Sequence, residues 1–170
     1  MAFKTWTVGE VLTSADLNRY AVQQAFVIKA ADKSIASNTV LQDDDHLFLA
    51  LAANTRYLIE SMIRYNGLSG PVDFKVGWSA PAGATFDWVC DGLDPNVTGP
   101  TGGVSRNRLT LADTASAATI SADAFILARG VLTTAAVAGN LQFRWAQDSS
   151  NSNALVVRAG SLLQATRLTP

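Results

Sequence analysis

The chain has 170 residues, of which 48% are hydrophobic and 16% charged, and its formal net charge is −1 at pH 7. This length suits one ordinary domain with a short appended segment, and the composition excludes an intrinsically disordered chain. The basic residues are spread along the sequence, so the clustered positive charge expected of a nucleic-acid-binding protein is missing. The apolar runs are too short for a membrane span and the first residues lack a signal-peptide pattern, which predicts a protein made in the cytoplasm.

A short helix is predicted near the start of the chain. Thr13 has the character of a helix N-cap, and Asp16 at the third helical position completes a capping box. Leu12 and Leu17 flank this cap with the spacing of a hydrophobic staple. A narrow apolar stripe follows, formed by Leu17, Tyr20, Ala21 and Gln24. Because so short a helix is marginal in water, we expect its stripe to pack on its own domain or to dock on a neighbour.

From about residue 26 onward, apolar and polar residues alternate, which predicts β-strands. The segments with one apolar face are RYLIESMIRY, VDFKVGW and LQFRWAQ. More evenly apolar segments, typical of strands covered on both sides or lying at a subunit contact, are HLFLAL, FILARGVL, ALVVRA and SLLQATRL. Turn clusters separate the strands, among them ASNT, QDDD, NGLSGP and QDSSNSN. Residues 112–125 suit a helix or a strand by composition, and their alternation favours a strand.

This succession of elements predicts the fold class. Roughly eight to ten short strands, with no convincing helix after residue 25, indicate an all-β chain. The expected architecture is an antiparallel β-sandwich or jelly roll preceded by a short N-terminal α-helix. An α/β fold is excluded because the crossover helices are missing. The predicted organisation is therefore a helical segment over residues 1–25 and a β-sandwich domain over residues 26–170.

The sequence offers little for catalysis or for a metal site. His46 is the chain's sole histidine and follows three aspartates at 43–45, and no serine or cysteine stands in a nucleophile context. Spacing along the chain singles out no carboxylate pair, so no enzyme activity is expected. The aspartates lack the alternating spacing and the glycine of a calcium loop, which predicts a solvated polar turn. Cys90 is predicted to be a small buried apolar residue, and no metal or cofactor is expected.

A ligand-binding surface is an alternative use of the predicted loops. Aromatic rings bind sugars through their flat apolar faces, and loops on a rigid sandwich commonly carry binding sites. Two of the four tryptophans fall in the apolar phase of their strands and are predicted to be core, whereas Trp88 is less clearly placed. The candidate contact surface comprises the loops around residues 91–103 and 147–153. Its candidate residues are Trp88, Asp91 and Asn96.

The opening stretch WTVGEVLTSADLN resembles a known N-terminal segment. Its pattern is an aromatic residue, then Gly-Glu, an apolar residue, Leu-Thr and finally Asp-Leu-Asn. This pattern is similar to the segment that recurs in minor tail and tail-fibre proteins of tailed bacteriophages, especially those of actinobacterial hosts. DFKVGWSAPAGATFDW resembles the same group's strand that runs into a Pro-Ala-Gly turn, and GVLTTAAVAGNLQFRWAQDSSNSNALVVRAGSLLQATRL resembles its closing strands. The resemblance therefore covers nearly the whole chain.

The resemblance implies a virion structural protein, assembled in the host cytoplasm and usually homotrimeric. It also implies a jelly-roll domain similar in outline to the tumour-necrosis-factor and complement globular-head folds. The segment over residues 1–25 is expected to attach the trimer to other virion proteins as a minor tail, baseplate or tail-fibre component. The positions that match the family pattern are Trp6, Gly9, Glu10, Leu12, Thr13, Asp16, Leu17 and Asn18, and Tyr20 adds to the expected docking face. The chain departs from a long fibre because no coiled-coil or β-helix shaft follows the helix.

Two alternative functions remain beside attachment. One is a receptor- or carbohydrate-binding tip whose partner would be a host cell-surface glycan, and the other is a trimer that decorates the capsid surface. The resemblance alone favours the tail over the head. In a trimer, HLFLAL, FILARGVL and SLLQATRL are candidates for the subunit contacts. Nucleic-acid binding and membrane insertion are not expected.

Overall fold

The computed structural model describes residues 6–20, 23–67, 72–95, 106–120 and 122–168, and for residues 18–20 it describes the backbone alone. The elements within these ranges are α1 (Ser14–Tyr20), β1 (Gln24–Ile28), β2 (Lys33–Ile35), β3 (Gln42–Leu51), β4 (Arg56–Asn66), β5 (Phe74–Ser79), β6 (Thr85–Asp91), β7 (Ala115–Ala117), β8 (Ala124–Thr133), β9 (Gly139–Gln147), β10 (Leu155–Val157) and β11 (Leu162–Arg167). None of the helical residues described forms a segment long and apolar enough to span a membrane.

The strands form two antiparallel sheets. The larger sheet runs β1-β11-β4-β8-β6. At the C-terminal end of β4, β10 pairs with β4, and β2 pairs with β10. The smaller sheet runs β3-β9-β5-β7. From β3 to β9 the chain passes from one sheet to the other at every step, which is the connectivity of a jelly roll. The predicted fold class, an antiparallel β-sandwich or jelly roll behind a short helix, is confirmed.

Alternation along the strands explains which face each strand buries. In β4, Tyr57, Ile59, Ile63 and Tyr65 are buried, and the predicted apolar face is confirmed. The apolar phases of β5 and β9 are likewise buried; they comprise Phe74, Val76, Trp78, Leu141, Phe143 and Trp145. The residues between them point to the opposite faces because successive side chains of a strand alternate. The core therefore lies between the two sheets.

Aromatic contacts join the sheets across this core. The ring of Tyr65 in the larger sheet stacks on Phe74 of the smaller sheet, with 4.5 Å between the ring centroids. Phe74 in turn contacts Trp145 edge to face at 5.9 Å. The hydroxyl of Tyr65 donates a hydrogen bond to the carbonyl of Ala118 at 2.6 Å, so the buried phenol is satisfied. Burial raises the pKa of Tyr65, which keeps this hydroxyl protonated.

A buried ion pair also joins the two sheets. The Nζ atom of Lys29, just after β1, lies 2.8 and 2.7 Å from the two carboxylate oxygens of Asp44 in β3. Both side chains are fully buried. The indole Nε1 of Trp145 in β9 donates a further hydrogen bond to Asp44 at 3.1 Å. A buried charge is tolerated only when paired and hydrogen-bonded, and these contacts meet both conditions.

Asp44 also satisfies backbone groups of its own strand. The register between β3 and β9 shifts between Asp43 and Phe48, which interrupts the ladder of hydrogen bonds there. The backbone N–H groups of His46 and Leu47 donate to Asp44 Oδ1 instead, at 3.0 and 3.1 Å. The carboxylate therefore replaces the ladder partner that the irregularity removes.

The polar turn predicted at QDDD and His46 is wrong, because β3 begins at Gln42 and contains all of these residues. Asp44 points inward to Lys29, fifteen positions earlier in the chain, and spacing along the sequence did not reveal this partner. Elsewhere the predictions agree better. Residues 112–125 contain β7 and the start of β8, as their alternation predicts. Cys90 is buried, as predicted, and burial together with Asp91 raises the pKa of its thiol to about 12.

We predict that Lys29→Met destabilises the fold much more than Lys33→Met does. The first change leaves the Asp44 carboxylate buried without its cation, which costs about 3–5 kcal/mol. Lys33 pairs with Asp45, whose side chain is 63% exposed, and an exposed pair contributes at most about 1 kcal/mol. Urea unfolding of both variants measures the two free energies of unfolding, and equal losses would contradict the assigned role of Lys29.

Candidate docking surfaces

The N-terminal arm, defined as residues 6–20, begins with a tight turn. The N–H of Glu10 donates to the carbonyl of Thr7 at 3.1 Å, and the Glu10 carboxylate accepts the N–H of Thr7 at 3.1 Å. Gly9, between them, has a φ of +85°, a conformation that side-chain-bearing residues rarely adopt. The Gly-Glu pair of the opening motif therefore has a local reason: the glycine permits the turn and the glutamate closes it.

A second, similar unit follows and starts α1. The hydroxyl of Thr13 accepts the N–H of Asp16 at 3.1 Å, and the Asp16 carboxylate accepts the N–H of Thr13 at 3.2 Å. This reciprocal pair is the predicted capping box, which is confirmed. The arm thus contains two Thr-x-x-acid units in succession, each closed by its own side chains. The hydrogen bonds that close both units lie within the arm itself.

The apolar side chains of the arm are exposed. They are Trp6, Val8, Val11, Leu12 and Leu17. Leu12 and Leu17, the residues of the predicted staple, are about half exposed, at 51% and 48%. Tyr20 ends α1, and its side chain, like that of Asn18, lies outside the described part of the structure. The arm therefore combines a locally fixed backbone with outward apolar groups, which is suited to docking on another surface.

The second surface is the outer face, defined as the side of the larger sheet turned away from the smaller one. Large apolar residues with exposed side chains lie on it in three strands: Phe26 and Ile28 in β1, Met62 in β4, and Phe125, Leu127 and Val131 in β8. Strand pairing places Ile28, Leu162, Met62 and Leu127 in one continuous row. FILARGVL and SLLQATRL, predicted from their even apolarity to lie at a subunit contact, supply β8 and β11 of this face.

An ion cluster borders the outer face at the Arg64 end of β4. Asp123 accepts hydrogen bonds from Arg64 at 2.6 Å, Asn66 at 2.9 Å and Arg158 at 3.3 Å. Arg158 also contacts Asp32 at 2.9 Å. Burial raises the pKa of Asp123, but the hydrogen bonds outweigh it and hold that pKa below the ordinary value. The pKa of Asp32 is lowered first by the N–H of Ala159 and then by Arg158.

We predict that acid weakens the fold through this cluster. A carboxyl whose pKa is lower in the folded state stabilises the fold above its unfolded pKa of about 3.8, and that contribution is lost as the pH falls through the folded value. Thermal unfolding should therefore show that, between about pH 6 and about pH 3, the melting temperature falls less in Asp123→Asn than in the wild type.

The matched control for this prediction is Asp73→Asn. Burial, with a smaller effect of Asp148, raises the pKa of Asp73, so this carboxyl affects stability in the opposite direction. The melting temperature of Asp73→Asn should fall on acidification at least as much as that of the wild type. A fall in Asp123→Asn as large as that of the wild type would contradict the prediction.

Trp88, the aromatic residue of the predicted ligand surface, is buried in the core. Trp88 is only 3% exposed, its Nε1 donates to the carbonyl of Thr110 at 2.8 Å, and its ring contacts Trp78 in the core. As the strand alternation places it inward, Trp88 offers no surface for a sugar ring. Asp91 lies at the end of β6 and pairs with Arg106 at 2.9 Å. Asn96 lies outside the described residues.

A buried glutamine, Gln147, makes hydrogen bonds to the backbone of the loop over residues 147–153. Gln147 Oε1 accepts the N–H of Asn151 at 3.0 Å, and its Nε2 donates to the carbonyl of Asn153 at 2.7 Å. This loop is therefore shaped by the sandwich. Among the described residues, no group of His, Cys, Asp and Glu side chains is arranged to hold a metal ion.

Comparison with known proteins identifies no family. No protein-family model matches the chain, and no curated protein matches it. A structure of infectious bursal disease virus, Gt strain, aligns with 100% of this chain and 41% of that chain at 9% identity and a TM-score of 0.23. The Gx strain structure aligns with 98% of this chain and 45% of that chain at 10% identity and a TM-score of 0.21. The chain thus spans less than half the length of either, and neither similarity establishes a shared family.

Proposed function

We propose that this chain is a non-catalytic structural protein of a bacteriophage virion. In this proposal the N-terminal arm attaches the protein to another virion protein, and the jelly roll forms a homotrimer. The mature protein resides in the virion after assembly in the host cytoplasm. The arm is the observation that carries the proposal.

The arm supports attachment because its polar groups form internal hydrogen bonds whereas its apolar side chains are exposed. Thr7, Glu10, Thr13 and Asp16 close the backbone, so that the chain's path is set before any partner arrives. The exposed valine and leucine side chains of the arm are then available to a partner. A segment ordered in advance loses less conformational entropy on binding, which favours docking by so short an element. A helix that lays an apolar stripe into a groove is a common mode of recognition.

The resemblance of WTVGEVLTSADLN to phage tail segments favours the tail as the site of attachment. Within the tail, the role is that of a minor tail, baseplate or fibre component. The order of elements supports a short component, since β1 begins at Gln24, four positions after the last residue of the arm. The alternative of a glycan-binding tip has less support because Trp88 is buried. Decoration of the capsid by the same trimer is distinguished by where the protein is found on the particle.

We predict that Leu17→Asp prevents incorporation into virions and leaves the sandwich folded. Leu17 is exposed in the arm, and a charge there would have to be desolvated on docking. Loss of an interface anchor costs about 2 kcal/mol or more, so the copy number per particle should fall by more than about tenfold. Quantitative mass spectrometry of purified particles measures the copy number, and near-UV circular dichroism verifies the fold.

Val137→Asp is the matched control, because Val137 is 50% exposed in a loop of the sandwich and Leu17 is 48% exposed. This variant should be incorporated normally. Equal incorporation of Leu17→Asp and wild type would refute attachment through the arm. Immunogold labelling of wild-type particles then separates the tail from the head, and labelling of the head would favour the capsid-decoration alternative.

A further inference from the structure

We infer that the outer face of the larger sheet is the surface through which copies of this chain associate. The inference rests on the proposed homotrimer and names its interface. The occupant of the face is a second copy of the chain, and four features of the face support this assignment.

The first feature is the continuity of the apolar surface. The row of Ile28, Leu162, Met62 and Leu127 crosses four adjacent strands, as the strand registers show. Two outward pairs further along β4 and β8, Leu58 faces Val131, so a second apolar pair lies beyond the polar row. Monomeric proteins rarely expose an apolar surface that is this continuous.

The second feature is that the polar row within the face is satisfied internally. Arg129 Nε lies 3.1 Å from a carboxylate oxygen of Glu60, its direct neighbour across the strands. Gln164 on the next strand donates to the same carboxylate at 3.4 Å. A buried charge is costly when it is unpaired, and this row already supplies the partners. A second copy can therefore cover the row without leaving a lone charge.

The third feature is the size of the face. Five strands about 4.8 Å apart and outward residues about 6.8 Å apart along each strand give a flat area of roughly 600 Å². A standard stable interface buries about 800 Å² of accessible surface per partner, and the corrugated surface of side chains exceeds the flat area. The outer face alone thus approaches the area that a subunit buries in a stable interface.

The fourth feature is the contrast with the smaller sheet. Its outward side carries charged residues, with Arg144 paired to Asp43 at 2.8 Å. Lys33 pairs with Asp45 at 2.7 Å on the same side of β3. Phe48 is an exposed aromatic residue there, at 43%. HLFLAL, predicted as a further subunit contact, supplies this strand, and its surroundings are far more polar than the outer face.

The test compares Leu127→Asp with Phe48→Asp in the full chain. Leu127 is 46% exposed and Phe48 43% exposed, and both replacements put a carboxylate on an outward position of a strand. Light scattering at several concentrations gives the mass in solution, and near-UV circular dichroism verifies the fold. The expected result is a trimer for the wild type and Phe48→Asp, and a folded monomer for Leu127→Asp.

The outcomes separate the two proposals. A Leu127→Asp variant that remains trimeric, or a Phe48→Asp variant that dissociates in its place, overturns the assignment of the interface and leaves the homotrimer standing. A monomeric wild type overturns the homotrimer itself. If Leu127→Asp does not fold, Met62→Lys on the neighbouring strand is tested by the same criteria. The long lysine side chain can place its amine in water, so this variant disturbs the folded monomer less.

Discussion

The buried contact between Lys29 and Asp44 is the interaction on which the arrangement of the two sheets depends. Backbone hydrogen bonds hold the segment that carries Lys29 to the turn before β11, between Lys29 and Ser161 and between Gly160 and Lys29, each at 2.8 Å. The side chain then reaches across the core to β3. One charged contact therefore connects the end of β1, the irregular part of β3 and, through Trp145, the C-terminal part of β9. Apolar packing alone would define these relative positions less sharply.

This fixed sandwich has three surfaces of different character. The core side of each sheet is apolar and aromatic, the outward side of the smaller sheet is charged, and the outer face of the larger sheet is apolar around one satisfied polar row. The arm adds apolar groups that belong to no strand. The exposed apolar groups of the chain therefore lie mainly in two separate places, the outer face of the sandwich and the arm.

Local patterns in the sequence predicted local structure well. The alternation in β4, β5 and β9 identified their buried faces, and Thr13 with Asp16 identified the helix start, because each signal lies within a few neighbouring residues. The role of Asp44 was missed because its partner is set by the packing of two sheets. The inward position of Trp88 depended on the phase of β6, which its short sequence did not settle. The outer face as a continuous surface required the registers of β1, β11, β4 and β8, and no single strand contains that information.

The place of β11 in the larger sheet has a consequence for the order of events during synthesis. β11 lies between β1 and β4 in the sheet, although it begins more than one hundred residues after the first residue of either strand. While the ribosome is still adding the middle of the chain, β1 has no partner, and such long-range pairing closes slowly. The hydrogen bonds that close the two turns of the arm join residues three positions apart, so they need no such wait. A nascent chain can thus form the local hydrogen bonds of the arm early, whereas the continuous apolar row of the outer face is complete only once β11 has been inserted.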